Sequence, residues 1–309
     1  MARHRVRLTA LVTLAVLIGV TGVMIAANPR APVERLAQVP PDEPLPTITP
    51  PGTSGLLARN VADNLAAQFV GQLDFCFTSY DARDGSANEQ TGRLYADGEE
   101  RLRLDIWPAT DAVDPISCCV THNAVWLKWQ NRHVAHAASL PIDRLPRSGW
   151  TGQLAAQAWQ TSLWARLLIH GLVHNERSRR IESAQLDGAV LDFVLGAPDD
   201  SDSNIQYEVH AEYSYEFDAF VATEIRCGGT IITLSEHQRG PDSKILAGRI
   251  HMIPTHPHYL EQEWVLDSPR DFAPDDVSLR CAFDLDRQPD THVKLLYDSD
   301  GNSEPVIIR

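Results

Sequence analysis

Three histidines within one short stretch, His251, His256 and His258, lie close to Glu261 and Glu263. Imidazoles and carboxylates are ordinary zinc ligands, and three of them plus a water would make a hydrolytic centre. Pro254 and Pro257 interrupt the stretch, however, and the His-Glu-x-x-His helix spacing is absent. The three histidines are therefore metal candidates without a motif behind them, and hydrogen-bonding surface histidines are the simpler reading. His133 and His136 form a looser pair. Asp298, Asp300, Asn302 and Glu304 surround Gly301 with oxygen ligands of the kind calcium takes, but the glycine falls fourth, where an EF-hand loop needs it sixth. A hairpin turn fits that stretch better. Asp199, Asp200 and Asp202 read as a solvated loop.

Cysteine chemistry is limited in the same way. Cys76, Cys118, Cys119, Cys227 and Cys281 include no Cys-x-x-Cys pair, so redox catalysis is not indicated. Adjacent Cys118 and Cys119 would point to opposite faces of a strand. A disulfide from one of them to Cys76 or Cys227 fits an oxidising compartment, and the odd count leaves one thiol over. No Gly-x-Ser-x-Gly elbow, phosphate loop or dinucleotide fingerprint occurs. Asp284 and Asp286 share one face of a presumed strand with Arg280, as on a solvated sheet face. The chain reads as a non-enzyme without a cofactor.

The elements that would position any site begin with an apolar run. Arg3, Arg5 and Arg7 precede an uncharged stretch from Leu8 to Ala27. At 1.5 Å per residue, a helix of about 20 residues spans the roughly 30 Å hydrocarbon core. The run is longer than a cleavable signal core, and Asn28 and Pro29 follow its only small-residue site. It reads as an uncleaved single-pass anchor, N-terminus inside and bulk extracytoplasmic, in the periplasm. The net charge of −14 excludes nucleic acid as a partner, since phosphate backbones need basic patches. Eight prolines from Pro29 to Pro51 make residues 28–52 a semi-rigid spacer. The organisation is thus a basic tail (1–7), an anchor (8–27), a Pro-rich linker (28–52) and a β-rich domain (53–309).

Within that domain, Leu57, Val61, Leu65 and Phe69 recur at helical spacing, with Ser54 as N-cap. A second helix is expected from Gly152 to Ile169, stopped by Gly171, with a wide stripe that includes Leu154, Trp159, Trp164 and Leu168. Strand alternation marks Leu73–Tyr80, Val125–Trp129, Ile205–Asp218 and Val277–Leu285, and Ala96-Asp97-Gly98 marks a hairpin. Val221–Ile225, Thr230–Leu234, Ile245–Ile253 and Val293–Tyr297 are weaker strands. The pattern predicts an α+β fold: a large antiparallel sheet with one or two covering helices. If the sheet curves, its apolar concave face must be covered, either plugged by the helices or left as a groove. The groove candidates are Trp126, Trp159, Trp164, Tyr207, Tyr213 and Tyr215.

The succession of an amphipathic helix, Leu73–Tyr80, Gly92-Arg93-Leu94-Tyr95, Arg101–Pro108, Asn123–Leu127 and a second helix resembles the LolA/LolB-like periplasmic lipoprotein carriers over about Leu56–Arg239. That resemblance implies a half-barrel lidded by helices that holds acyl chains. Two features depart from it: the carriers' Arg-Pro pair is missing, although Arg101 and Arg103 lie close by, and the carriers are free while this chain reads as tethered.

Three functions are consistent with the residues. The first is a membrane-anchored module that holds lipid or a lipidated protein in the groove. The second is an envelope sensor or structural interaction domain with a filled core. The third is a metal-dependent enzyme, in which His251, His256 and His258 converge within about 4 Å of one point. The anchor reading has its own test. N-terminal sequencing of the mature protein is expected to start at Met1 or Ala2, and a start near Asn28 would remove the tether.

Overall fold

A computed structural model describes residues 52–81, 85–98, 101–107, 114–129, 134–146, 149–171, 180–196, 206–240, 243–254, 260–271, 282–284, 292–297 and 306–308. Residues 1–51, which include the expected anchor and all but the last residue of the linker, lie outside the described residues, as do His133, His256, His258, Cys281 and residues 298–304. Among the described residues no helix is long and apolar enough to cross a membrane.

Helix α1 (Thr53–Ala66) buries Gly55, Ala58, Val61, Ala62 and Leu65. Its N-cap is Gly52 without a side-chain bond, so Ser54 sits inside the first turn rather than capping it. Strands β1 (Val70–Tyr80), β2 (Ala87–Asp97), β3 (Arg101–Trp107), β4 (Ile116–Thr121), β5 (Val125–Lys128) and β6 (Val134–Ala138) then form an antiparallel meander. Gly98 turns β2 into β3 with φ +66°, the conformation that the Asp-Gly signal anticipates. After helix α2 (Gly149–His170) comes a second meander: β7 (Ile181–Asp187), β8 (Val190–Leu195), β9 (Tyr207–Ser214), β10 (Ala219–Cys227) and β11 (Thr230–Ser235). A small ribbon of β12 (Gln238–Arg239) and β13 (Ile245–Leu246) stands apart from the main sheet. Strands β14 (Arg249–Pro254) and β15 (Glu261–Leu266) join the halves, because β14 pairs with β11 and β15 pairs with β1. Short β16 (Arg270–Asp271) also pairs with β1, while β17 (His292–Tyr297) lies parallel to β6 and carries β18 (Val306–Ile308).

The main path runs β18-β17-β6-β5-β4-β3-β2-β1-β15-β14-β11-β10-β9-β8-β7. It is an α+β arrangement: a large curved sheet, antiparallel but for β6–β17, open at its ends and covered by two helices. The order dictates where α2 must lie. β6 and β7 sit in opposite arms of the sheet, so their connection crosses the concave face. A helix of 22 residues is about 33 Å long at 1.5 Å per residue, enough to make that crossing.

Alternation decides what faces α2. Leu73, Phe75 and Phe77 of β1, Leu94 of β2 and Leu104 of β3 are buried inward together with Phe193, Val209, Ile225 and Ile250. The N-terminal half of α2 covers the β4–β5 arm, where Leu154, Ala155 and Ala158 meet Cys118, Val120, Val125 and Leu127. Its C-terminal half joins α1 in the main core through Trp164, Leu167 and Leu168. Gly92 makes room on that face, because a Cβ there would fall inside the Phe75 ring.

The two helices are tied together at one point. The Lys244 ammonium, almost fully buried, donates to the carbonyls of Asn64 (2.8 Å), Leu65 (3.1 Å) and Ala67 (2.8 Å). These acceptors cluster at the negative end of α1, where the Asn64 carbonyl also takes the Ala67 N–H. The ring Nδ1 of His170, at the end of α2, lies 2.6 Å from the same Leu65 carbonyl.

Three expected strands differ. The Ile205–Asp218 alternation ends at Ser214, and Tyr215–Asp218 form a turn with Asp218 at φ 52°. Ile245–Ile253 is two strands broken at Gly248, whose N–H donates to the Ser235 and Glu236 carbonyls and where a Cβ would strike the Glu236 oxygen. In Val277–Leu285, Ala282 and Phe283 lie in a helical turn. Phe283 packs on the outer face of the sheet beside Cys119 and Trp126. There Arg103 donates to the Ala282 carbonyl (2.7 Å) and the Trp126 indole to the Phe283 carbonyl (3.3 Å).

Replacing Lys244 by Met removes three charged hydrogen bonds and takes from the Ala67 carbonyl its ammonium donor, while Asn64 O keeps the Ala67 N–H and Leu65 O keeps His170. The expected loss is about 3 kcal/mol, at the upper end for unsatisfied buried groups, read from urea unfolding of the full chain.

Candidate functional site

The concave face converges on an aromatic cluster beneath α2. Phe77 (β1) lies between Trp164 (α2) and Trp264 (β15), at ring-centroid distances of 4.9 and 5.0 Å. The two indoles stand edge to face at 6.1 Å and 87°, and Phe75 closes on Trp164 at 5.9 Å. Register explains the meeting, since Phe77 pairs with Trp264 across β1–β15 while the crossing of α2 brings Trp164 down onto both. Aromatic edge contacts of this kind add about 0.5–1.5 kcal/mol each beyond area burial.

The interior is filled. Where α1, α2 and the β10–β14 arm meet, around Leu65, Leu168 and Ile250, a void of about 20 Å³ remains, room for about one water and far too small for an acyl chain. The packing carries a polar defect, however. Trp164 Nε1 and Trp264 Nε1, in residues 2% and 0% exposed, have no hydrogen-bond partner among the described residues. Neither do Gln160 Oε1 and Gln262 Oε1, in residues 6% and 2% exposed. Gln160 is one turn before Trp164 on α2, and Gln262 is two residues before Trp264 on the same face of β15, opposite the buried Ser79. An unmet buried polar atom costs about 1–3 kcal/mol, so the seat of α2 on the sheet is strongly apolar but incompletely satisfied.

Two of the six groove candidates from sequence enter this interior, Trp164 and Tyr207. Trp126 points the other way, under Phe283, because the inward register of β5 belongs to Val125 and Leu127. Trp159 lies on the exposed side of α2. Tyr213 keeps its place in β9 opposite Phe220 but is only half-buried near the strand's end, while Tyr215 lies in the following turn, 89% exposed; their rings meet edge to face at 5.3 Å. Phe77, Trp264, Gln160 and Gln262 were not anticipated. The available signals were the two-residue spacing of Gln262 and Trp264 and the four-residue spacing of Gln160 and Trp164.

The remaining chemical candidates are dispersed. His251 Nε2 lies 2.6 Å from Glu261 on the outer face, while Glu263 is held by Arg249 and by the Tyr80 hydroxyl (3.2 Å). The Arg249 guanidinium holds the Glu263 carboxyl below its ordinary range. Among the described residues no group of three potential metal ligands forms. Cys76, Cys118, Cys119 and Cys227 carry no disulfide. As alternation requires, Cys118 lies inward under α2 and Cys119 outward by Phe283. Cys76, on β1 and so three strands from β4, contacts Glu89 of β2. Neighbouring strands are about 4.8 Å apart, so bridging Cys76 to Cys119 would exceed the roughly 7 Å Cα limit of a disulfide. Burial pushes the Cys118 thiol up to about 12, and burial with the Glu89 hydrogen bond pushes Cys76 up to about 11.

An outer cleft of about 710 Å³ crosses β7–β10 and is lined by Asp192, Glu208, His210, Glu224 and Arg226. His210 Nδ1 lies 2.6 Å from Asp192, and that bond raises the imidazole pKa. The pair therefore favours the folded state at acid pH, and its contribution fades as pH rises through the folded-state value. Both groups are well exposed, which makes the pair weak.

No protein-family model matches the chain, and no curated protein matches it. Solved structures similar to it include a LolA superfamily protein from Nitrosomonas europaea, at 10% identity and TM-score 0.43, over 70% of this chain and 95% of that one. A domain assigned to outer membrane lipoprotein sorting from Vibrio parahaemolyticus has the same identity and score, over 70% and 90%. A DUF1329 family protein from Desulfovibrio piger has 7% identity and TM-score 0.45, over 74% and 96%. These neighbours include the family that the strand order resembles.

Two substitutions separate the packing role of the cluster from its polar defect. Trp164→Ala is expected to cost about 4 kcal/mol, as for large aromatic truncations. Gln262→Met, close in volume, is expected to gain about 1 kcal/mol by removing an unmet acceptor. Both are read from denaturant midpoints.

Proposed function

We propose that this chain is a membrane-anchored, extracytoplasmic binding module that holds a lipid, or the acylated part of a lipoprotein, between α2 and the concave face of its sheet. One observation carries the reading. The apolar interior is closed by α1 and the crossover helix α2, and the seam of α2 holds buried polar atoms without partners among the described residues. Displacing α2 would expose Phe75, Phe77, Trp164 and Trp264, a surface suited to an acyl chain. Each unmet atom lowers the cost of that displacement relative to a fully satisfied core. The anchor at Leu8–Ala27 and the proline linker, read from sequence, would keep such a module beside the membrane that supplies its ligand.

The roughly 20 Å³ void favours a second reading, an interaction domain whose core stays filled. One experiment distinguishes the two. The full chain, held in a lipid-free peptide scaffold, is irradiated with a diazirine-bearing acyl probe, and the adducts are mapped by peptide mass spectrometry. Adducts on peptides that contain Phe77, Trp164 or Trp264 are expected. Labelling confined to residues 8–27 would reject the binding reading and leave the filled domain.

A further inference from the structure

The polar atoms at the α2 seam have a chemistry of their own. An indole N–H only donates. Trp164 Nε1 and Trp264 Nε1 therefore both lack an acceptor, within a cluster whose rings lie 6.1 Å apart. The layer contains no cation to meet an anion. The buried charged side chains among the described residues are Asp105, on the outward face of β3 with Arg103, and Lys244, whose ammonium is held by three α1 carbonyls. The other buried polar side chains near the cluster are uncharged: Ser79 and Gln90 on the sheet, Gln157, Gln160 and Thr161 on α2, and Gln262 on β15. Moving a carboxylate from water into this layer would cost far more than neutral hydrogen bonds return. A carbonyl oxygen, by contrast, supplies the missing acceptor and brings no charge.

Building on the binding reading above, we infer that Trp164 and Trp264 form a carbonyl-recognition site, so that the bound chain is a neutral ester- or amide-linked acyl group rather than an ionised fatty acid. The indole N–H groups donate to the linkage carbonyl, and the acyl chain occupies the Phe75–Phe77 face. Gln160 and Gln262 have free acceptor oxygens, which take an N–H or O–H on the remainder of the linkage.

Competition against the acyl photoprobe tests this on the full chain in the same scaffold at pH 8. The competitors are methyl laurate, laurate and dodecyl methyl ether. Methyl laurate is expected to displace interior labelling at about one-tenth the concentration needed for the ether, the return from two neutral hydrogen bonds, and at a still smaller fraction of that needed for laurate. In a Trp164→Phe/Trp264→Phe variant, which keeps the aromatic packing, the ester–ether ratio is expected to fall to about one while interior labelling persists. If that variant fails to fold, Trp264→Phe alone is expected to lower the ratio severalfold. Equal displacement by ester and ether in the parent chain, or a ratio unchanged in a folded variant, overturns carbonyl recognition and leaves the binding reading intact. Absence of interior labelling in the parent chain overturns both.

Discussion

An open sheet with one apolar face is unstable until that face is covered, and every other feature of this domain follows from how the cover is made. The two meanders meet through β14 and β15, so β6 and β7 lie in opposite arms. The chain between them has to cross the concavity. A helix is the economical way across, because it meets its own backbone hydrogen bonds on a route where no strand partner is available. The same element is thereby connection, core and cover. A helix buried on several sides also loses the usual polar face: α2 buries Thr151, Gln157, Gln160, Thr161 and His170 as well as its leucines.

Burying polar side chains has consequences that differ along the helix. Thr161 returns its hydroxyl to the Gln157 carbonyl (2.9 Å), and His170 meets Leu65 at the junction with α1. Near that junction Lys244 completes the end of α1. The C-terminal end of α2 is thus pinned by polar contacts, while the segment around Gln160 and Trp164 rests on the sheet mainly through apolar contact, with Thr161 also meeting the Cys118 thiol. Such asymmetry suits an element that hinges near one end, since the apolar contacts can be exchanged for those of another apolar group whereas the pinned end would have to surrender hydrogen bonds.

The outer face is handled differently in the two arms. Over β3–β5, Phe283 and its carbonyl neighbours cover Cys119 and Trp126, and Arg93, Arg101 and Arg103 are each paired with an aspartate. Over β7–β10 the same face holds mostly carboxylates, with Arg226 paired to Glu224.

Sequence by itself determined the class of fold, since period-two alternation and the Asp-Gly hairpin are local signals that the pleat and turn obey directly. It also located both helices and the split of Cys118 and Cys119 to opposite faces. Tertiary structure decided which apolar residues share a space. Trp126 and Trp164 look equivalent as aromatic candidates, yet strand register sends one to the outer face and the other to the core. Tyr215 falls out of the alternation because the chain turns after Ser214. Phe77 and Trp264, far apart in sequence, meet only through the β1–β15 pairing. The unmet atoms of Trp164, Trp264, Gln160 and Gln262 were invisible for the same reason: whether a polar group is satisfied depends on partners brought by distant segments, which no local pattern encodes.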